Sequence, residues 1–271
     1  MSAQEEDRAC LVLRLAGPLQ SWGSESQFNR RETATMPTKS GVIGLLAAAA
    51  GRRRSDPILD LVKLRLGVRV DQPGTLLRDY HTVSDYRRRP LLSSSVDAKG
   101  RQKATSPAKY TAVTQRFYMQ DAVFVAVVEG GRSLMEGLIV AVRRPAFPLA
   151  LGRRSCVPSH PLLITTDGGP ADGCWEAGLE EVLGAVLWQA SAAHRRRIES
   201  RSGGAPTIPL RVSLDREDGH DISADVPVSF EHRDRAFAMR RVEHTWVEVP
   251  TGFAGVARPL HPHDPFALLG G

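Results

Sequence analysis

Met36-Pro37-Thr38-Lys39-Ser40-Gly41-Val42-Ile43-Gly44-Leu45-Leu46-Ala47-Ala48-Ala49-Ala50-Gly51 is a polar turn that runs straight into an almost wholly apolar segment. It reads as a buried helix with a polar front end. Thr38 or Ser40 caps the start, Pro37 stands just outside, and Gly51 closes the far end, so the helix is predicted to begin near Ser40. Val42, Ile43, Leu45, Leu46 and the alanines leave no polar face, which requires cover on nearly every side, and Gly41 and Gly44 let a neighbour come close. The first N–H groups of such a helix lack intrahelical partners, its dipole adds partial positive charge, and Lys39 stands beside them. That combination suits an anion such as phosphate, although a capped helix with no ligand fits the same residues. A nucleotide P-loop is excluded, because Thr35-Met36-Pro37-Thr38 supplies none of the glycines of Gly-x-x-x-x-Gly-Lys-Ser.

Upstream, Cys10-Leu11-Val12-Leu13-Arg14-Leu15 is a buried strand ended by the turn signal Gly17-Pro18. Trp22 in the following loop reads as a packing anchor rather than a base-stacking platform, and the loop continues through Arg30 and Arg31 into the helix. Downstream, Arg52-Arg53-Arg54 sits where positive charge favours a helix C-terminus. Residues 57–61 form a short helical turn, and Leu64-Arg65-Leu66-Gly67-Val68-Arg69-Val70 alternates as a half-exposed strand with a basic outer face. Ala122-Val123-Phe124-Val125-Ala126-Val127-Val128 is the strongest strand signal, and Leu134, Leu138, Ile139 and Val142 give a second helix with one apolar stripe. A fourth strand at residues 149–151 or 162–165 completes a β-α-β-β-α-β order, the ferredoxin-like unit that also underlies RNA-recognition modules. The predicted class is therefore α+β.

Residues 73–115 are too long and polar for an ordinary connection. Between Arg78 and Arg116 stand nine bases (Arg78, Arg87, Arg88, Arg89, Lys99, Arg101, Lys103, Lys109, Arg116) against three acids (Asp79, Asp85, Asp97). β-prone residues on both arms, including Tyr80, His81 and Tyr110, predict a protruding hairpin over about 78–116 with its tip near residues 97–100. Cations that neutralise phosphates beside aromatics that stack on unpaired bases make it a candidate nucleic-acid wedge. In Leu151-Gly152-Arg153-Arg154-Ser155-Cys156 the glycine permits close backbone approach, and each arginine can grip a phosphate through two donors.

The division that follows is residues 1–165 as a palm containing the hairpin, 166–250 as a smaller β-rich C-terminal portion and 251–271 as a loose tail. Residues 166–178 are Gly-rich and linker-like, Arg195-Arg196-Arg197 makes the chain basic again, and short strands follow at 209–212 and 226–230. The net charge of +6 on 271 residues points to an acidic partner. Lysines number only five (39, 63, 99, 103, 109), leaving 31 arginines among 36 bases. Cys10, Cys156 and Cys174 are odd in number and lack Cys-x-x-Cys spacing, which disfavours disulfides and structural zinc. No run approaches a membrane span, and the acidic, polar start is unlike a signal peptide, so a cytoplasmic location is expected. No metal is expected, including at His261 and His263, and no cofactor.

Four blocks, in order over residues 11–157, carry a resemblance: Leu13-Arg14-Leu15-Ala16-Gly17-Pro18-Leu19-Gln20-Ser21-Trp22-Gly23; Pro37-Thr38-Lys39-Ser40-Gly41 with its helix; Leu77-Arg78-Asp79-Tyr80-His81-Thr82-Val83; and residues 151–156, which lack a tyrosine but otherwise fit. Together they resemble the CasD subunits of Cascade, the type I-E CRISPR surveillance complex, within the repeat-associated mysterious protein superfamily. The resemblance implies a non-catalytic, RNA-binding structural subunit. In such proteins a ferredoxin-like palm and a thumb hairpin hold the 5′ handle of CRISPR RNA (crRNA) and cap the complex beside the CasC backbone and the large subunit CasA. Target DNA is met only indirectly, through the complex. The expected RNA contacts are Arg30, Arg31, Lys39, Ser40, Arg78, Tyr80, His81, Lys109, Arg116, Gly152, Arg153, Arg154 and Ser155. The main alternative is a metal-independent endoribonuclease that processes precursor crRNA, as type I-C relatives do, with Tyr80, His81 and Lys109 as its acid and base groups. A protein-only scaffold is the third reading.

Overall fold

The structure is a computed structural model and describes residues 7–23, 29–85, 98–99, 110–165, 169–231 and 235–253. Its first half runs β1 (Arg8–Ala16), β2 (Leu19–Gln20), β3 (Arg30–Arg31), α1 (Lys39–Ala49), α2 (Leu59–Val62), β4 (Arg65–Gln72), β5 (Thr75–Asp85), β6 (Tyr110–Gln120), β7 (Val123–Gly131) and α3 (Arg132–Arg143). The second half adds β8 (Cys174–Trp175), α4 (Leu179–Ala185), α5 (Ala192–Ser202), β9 (Thr207–Asp215), β10 (Asp221–Ser229) and β11 (Ala236–Pro250). The chain is mixed α/β. Its main sheet has seven antiparallel strands in the order β10-β11-β9-β4-β7-β1-β8.

Strands β1 and β7 lie side by side inside the sheet, neither of them at an edge, and read as unbroken apolar runs because both their faces are covered. On one face Leu11, Leu13, Leu15, Phe124, Ala126 and Val128 pack with the side chains of α1 and α3. On the other, Cys10, Val12, Val125 and Val127 meet Leu179, Val182 and Leu183 of α4. This double cover corrects the half-exposed reading of β4. Arg69 is fully buried, its guanidinium paired with Asp71 (2.7 and 2.9 Å) and donating to the carbonyls of Leu183, Val186 and Leu187, so the residue expected on a basic outer face ties the strand to the end of α4.

The fourth strand beside β1 comes in two pieces. Arg14 N–H donates to Leu162 O (2.6 Å), Ile164 N–H to Val12 O (3.1 Å), and β8 then pairs with Cys10 and Leu11. Residues 162–165 thus meet one of the two expectations. The segment read as a linker instead contains β8, with Cys174 buried. All three cysteines are buried, and burial pushes the Cys10 thiol up to about 12, far from a nucleophile's range.

The C-terminal strands continue the main sheet rather than standing apart, β9 pairing with β4. The helices α4 and α5 and strand β11 are not among the elements the sequence predicts, although Leu179, Val182 and Leu183 have helical spacing and Ser191 and Gly203 cap α5 at either end. The first residues of the expected tail are held: Thr251 is buried, its N–H donating to Pro206 O, and Phe253 packs edge-on to Trp188. Residues 254–271, with His261 and His263, lie outside the described residues. Among the described residues no helix is long and apolar enough to cross a membrane.

The second sheet is built on β6. Along its whole length β6 pairs antiparallel with β5, from Thr75↔Gln120 to Asp85↔Tyr110, and its other edge carries β2 and the parallel β3. Arms of 11 residues extend about 36 Å at the strand rise of roughly 3.3 Å. Residues 86–97 and 100–109, Lys109 among them, lie outside the described residues.

Candidate nucleic-acid interface

Helix α1 begins as its sequence requires, with the Thr38 hydroxyl accepting from Gly41 N–H (3.2 Å). Trp22 is fully buried against the first turn: a Cβ on Gly41 would stand 2.7 Å from its ring, so only glycine lets the two meet. The indole N–H donates to Gln20 Oε1 (3.0 Å), which confirms the anchor reading.

The start of α1 is not open to a ligand. The Lys39 N–H donates to the carboxylate of Asp225 (2.6 Å), and the Lys39 ammonium is buried against Asp215 (2.7 Å). Arg240 bridges both carboxylates, so two acids and two bases close on one another. Burial raises the Asp225 pKa, but the Arg240 hydrogen bonds and charge, with the Lys39 N–H, outweigh it and hold the carboxyl below its usual range. The helix end does bind an anion, and that anion is the protein's own. Lys39 is therefore no RNA contact in this geometry, and the Ser40 hydroxyl is buried beside Thr38, 3.3 Å away.

Helix α1 is covered on nearly every side as expected, and one stripe is half-buried rather than buried, with Trp22 against Gly41 and Phe230 beside Gly44. Gly41, Gly44 and Ala48, at helical spacing, form part of the floor of a cleft of about 1010 Å³. Its walls carry Arg31, Arg52, Arg53, Arg54, Arg116, Arg153, Arg154 and Arg235, and Glu32 is the single acid among these lining residues. Phe147 and Phe230 add aromatic surface. Burial first, and then the charges of Arg54 and Arg31, pull the Arg235 guanidinium below its ordinary pKa, the electrostatic mark of like charges gathered from three separate segments.

The hairpin divides the expected contacts by strand alternation. In the ladder Arg31 is level with Arg116 and Arg30 with Gln115, and Arg116 and Thr114 face the cleft. His81 pairs with Thr114, so it shares that face; Tyr80 pairs with Gln115 and Arg78 with Phe117 on the opposite one. Arg30 lies on the far face as well, its guanidinium 5.3 Å from the Phe117 ring and bonded to Glu32 (2.8 Å). Tyr80 and His81 therefore do not converge, and the acid–base grouping suggested by their adjacency is not assembled by β5.

Gly152 has φ +86°, and a Cβ there would fall 1.8 Å from Ser21 O. The close approach is to the protein's own backbone. Arg153 is likewise turned inward: it donates to the carbonyls of Phe117 (3.1 Å), Arg31 (2.8 Å) and Glu32 (3.3 Å) and stacks on Tyr118, which corrects its reading as a two-donor phosphate grip. Arg154 is exposed on the cleft wall, whereas Ser155 is exposed outside the lining and bonded to Cys156. The structure thus brings Arg31, Arg116 and Arg154 together, with Ser40, Gly152 and Arg153 also in the lining, and adds residues 52–54 and 235. Arg52 is tied to Asp60 through both guanidinium arms, but Arg53 and Arg54 project into the cleft rather than serving only a helix end. Arg235 gave no sequence signal beyond its charge.

Residues 10–243 match the family described as CRISPR-associated protein (Cas_Cas5). The chain is 35% identical over 173 residues, 59% of its own length and 71% of the other, to the CRISPR system Cascade subunit CasD of Escherichia coli (strain K12). A solved CRISPR RNA-guided surveillance complex contains a similar chain, with TM-score 0.64, 31% identity and coverage of 89% of this chain and 91% of that one. A crystal structure of a Cas protein is similar at TM-score 0.63 and 36% identity, covering 90% and 98%.

Proposed function

Because the chain belongs to the Cas_Cas5 family of CRISPR-associated proteins and is similar to Cascade subunits, we propose that it is a non-catalytic RNA-binding subunit of a cytoplasmic type I-E surveillance complex. In this reading it holds the 5′ handle of crRNA. The single observation that carries it is the cleft, where guanidinium groups from β3, the segment after α1, β6, the 152–154 loop and the approach to β11 converge opposite one carboxylate. Such a surface attracts a polyanion, and Phe147 and Phe230 in the lining offer aromatic surface on which a base can stack. The strand order β4-β7-β1-β8 with α1 and α3 on one face supports a ferredoxin-like palm over residues 1–165. The β5–β6 hairpin then acts as its thumb. CasC and CasA are the protein neighbours in this reading, and target DNA is engaged through the assembled complex.

Arg31, Arg53, Arg54, Arg116, Arg154 and Arg235 are the proposed RNA contacts within the cleft. The test is binding of a labelled handle RNA across a salt series. Log affinity falls linearly with log salt at about 0.7 per phosphate contact. Alanine at Arg54, Arg116 and Arg154 together is expected to weaken binding and flatten the slope by about 2; an unchanged slope removes these residues from the site. Incubation of the purified chain with repeat RNA and EDTA tests the non-catalytic part. A product ending in a 2′,3′-cyclic phosphate and lost in His81→Ala would establish the nuclease alternative instead.

A further inference from the structure

Away from the arginine cleft, a second cavity of about 780 Å³ opens between the ends of β1 and β4, the turn before β7, the 159–160 loop and the first turns of α5. Its ionisable lining is Arg14, Asp121, His160, His194 and Arg197. The basic run 195–197 singled out in the sequence has no part in the first cleft, and Arg197 of that run lies here. We propose that this cavity is a second nucleic-acid site, which takes a phosphodiester segment of a single strand and takes up protons on His160 and His194 as it does so.

The hydrogen bonds set the chemistry. A guanidinium only donates, so Arg197 donates to Nδ1 of His194 (2.9 Å), and that ring must be neutral while the bond stands. Protonation at Nδ1 breaks it and leaves two donors side by side, the arrangement a phosphate oxygen needs. Ser159 donates to Ala16 O (3.2 Å) and so accepts from Nδ1–H of His160 (2.9 Å), which leaves Nε2 as the position that takes up a proton. Burial, then Arg14 for His160 and Arg197 for His194, keeps both rings below their usual pKa. Asp121 is the one lining acid that opposes this, and the Trp188 ring packs edge-on to His194. An anion bound among these groups favours both charged rings, so binding and protonation reinforce each other. The apolar lining consists of short side chains, among them Ala16, Pro18, Ala122 and Val123, and includes no aromatic or long aliphatic residue of the sort that anchors a peptide.

The test follows the histidine ring signals of the full-length chain by NMR through a pH titration, with and without a saturating short oligouridine. The signals of His160 and His194 are assigned from His160→Gln and His194→Gln. Both midpoints are expected to rise by at least about one unit, equivalent to about tenfold tighter binding per ring at low pH. The rise should persist when Arg54, Arg116 and Arg154 are alanine, which separates this site from the handle cleft. Arg197→Gln should abolish the rise at His194 while leaving the melting temperature unchanged. Midpoints that do not move, a rise that vanishes with the first-cleft variant, or an equal rise with polyglutamate would each overturn the proposal.

Discussion

Arg153 lays its guanidinium over the Tyr118 ring, 4.8 Å from the centroid, while its N–H groups reach carbonyls on β6 and β3. One side chain from the 152–154 loop thereby fixes the root of the hairpin to the body. The arrangement explains why a charged residue in a cationic cleft is structural while its neighbour Arg154 faces outward.

Arg153→Ala is therefore expected to destabilise the fold by about 2 kcal/mol, through lost charge-assisted hydrogen bonds and ring stacking. Arg153→Lys should recover little of this, because an ammonium lacks the planar fork. Arg154→Ala should leave stability within about 0.5 kcal/mol and weaken RNA binding instead. Denaturant unfolding beside RNA anisotropy separates the two roles.

Two glycines give opposite outcomes. Gly152→Ala places a methyl group on Ser21 O in a left-handed conformation and should destabilise by at least about 2 kcal/mol. Gly44→Ala meets only Phe230, at 3.6 Å, and should stabilise α1 by about 0.5–1 kcal/mol. Thermal melts of both variants check the contrast.

Burial of the Arg69–Asp71 pair predicts a large loss when one partner is removed. Arg69→Met leaves the Asp71 carboxylate buried with the Gln189 N–H as its remaining hydrogen-bond partner (2.6 Å), and should cost about 3–5 kcal/mol by denaturant midpoint. Replacing both partners with apolar residues should cost less than the sum of the single changes.

Acid should loosen the joint between α1 and the C-terminal strands. The Asp225 pKa is lower in the folded protein than in the unfolded chain, so its stabilisation is complete above the ordinary carboxylate range and is lost as pH falls below about 4. Melting temperature should fall over that window, and Asp225→Asn, already destabilised, should show a shallower fall. Lys39→Ala should lower stability while leaving the salt slope of RNA binding unchanged, as expected of a base occupied inside the protein.

The sequence by itself determined the elements whose local chemistry is unambiguous. A capped start of α1 at Thr38 or Ser40, the apolar stripe of α3, the apolar runs of β1 and β7, and the long arms of β5 and β6 follow from periodicity, capping and β-propensity within a few residues of chain. The four motif blocks were enough to indicate the family. The partner of each charge was settled only by tertiary structure, because Coulomb attraction and burial act between residues far apart in the chain. Lys39 met Asp215, 176 positions away, and ceased to be a surface cation, whereas Arg235 was carried to Arg31 and Arg54 and became part of the cleft. Strand alternation separated Tyr80 from His81 although they are neighbours in sequence. Residue type and spacing encode where a helix or strand can form; whether a charge faces solvent or another charge depends on which strands the folded sheet sets side by side.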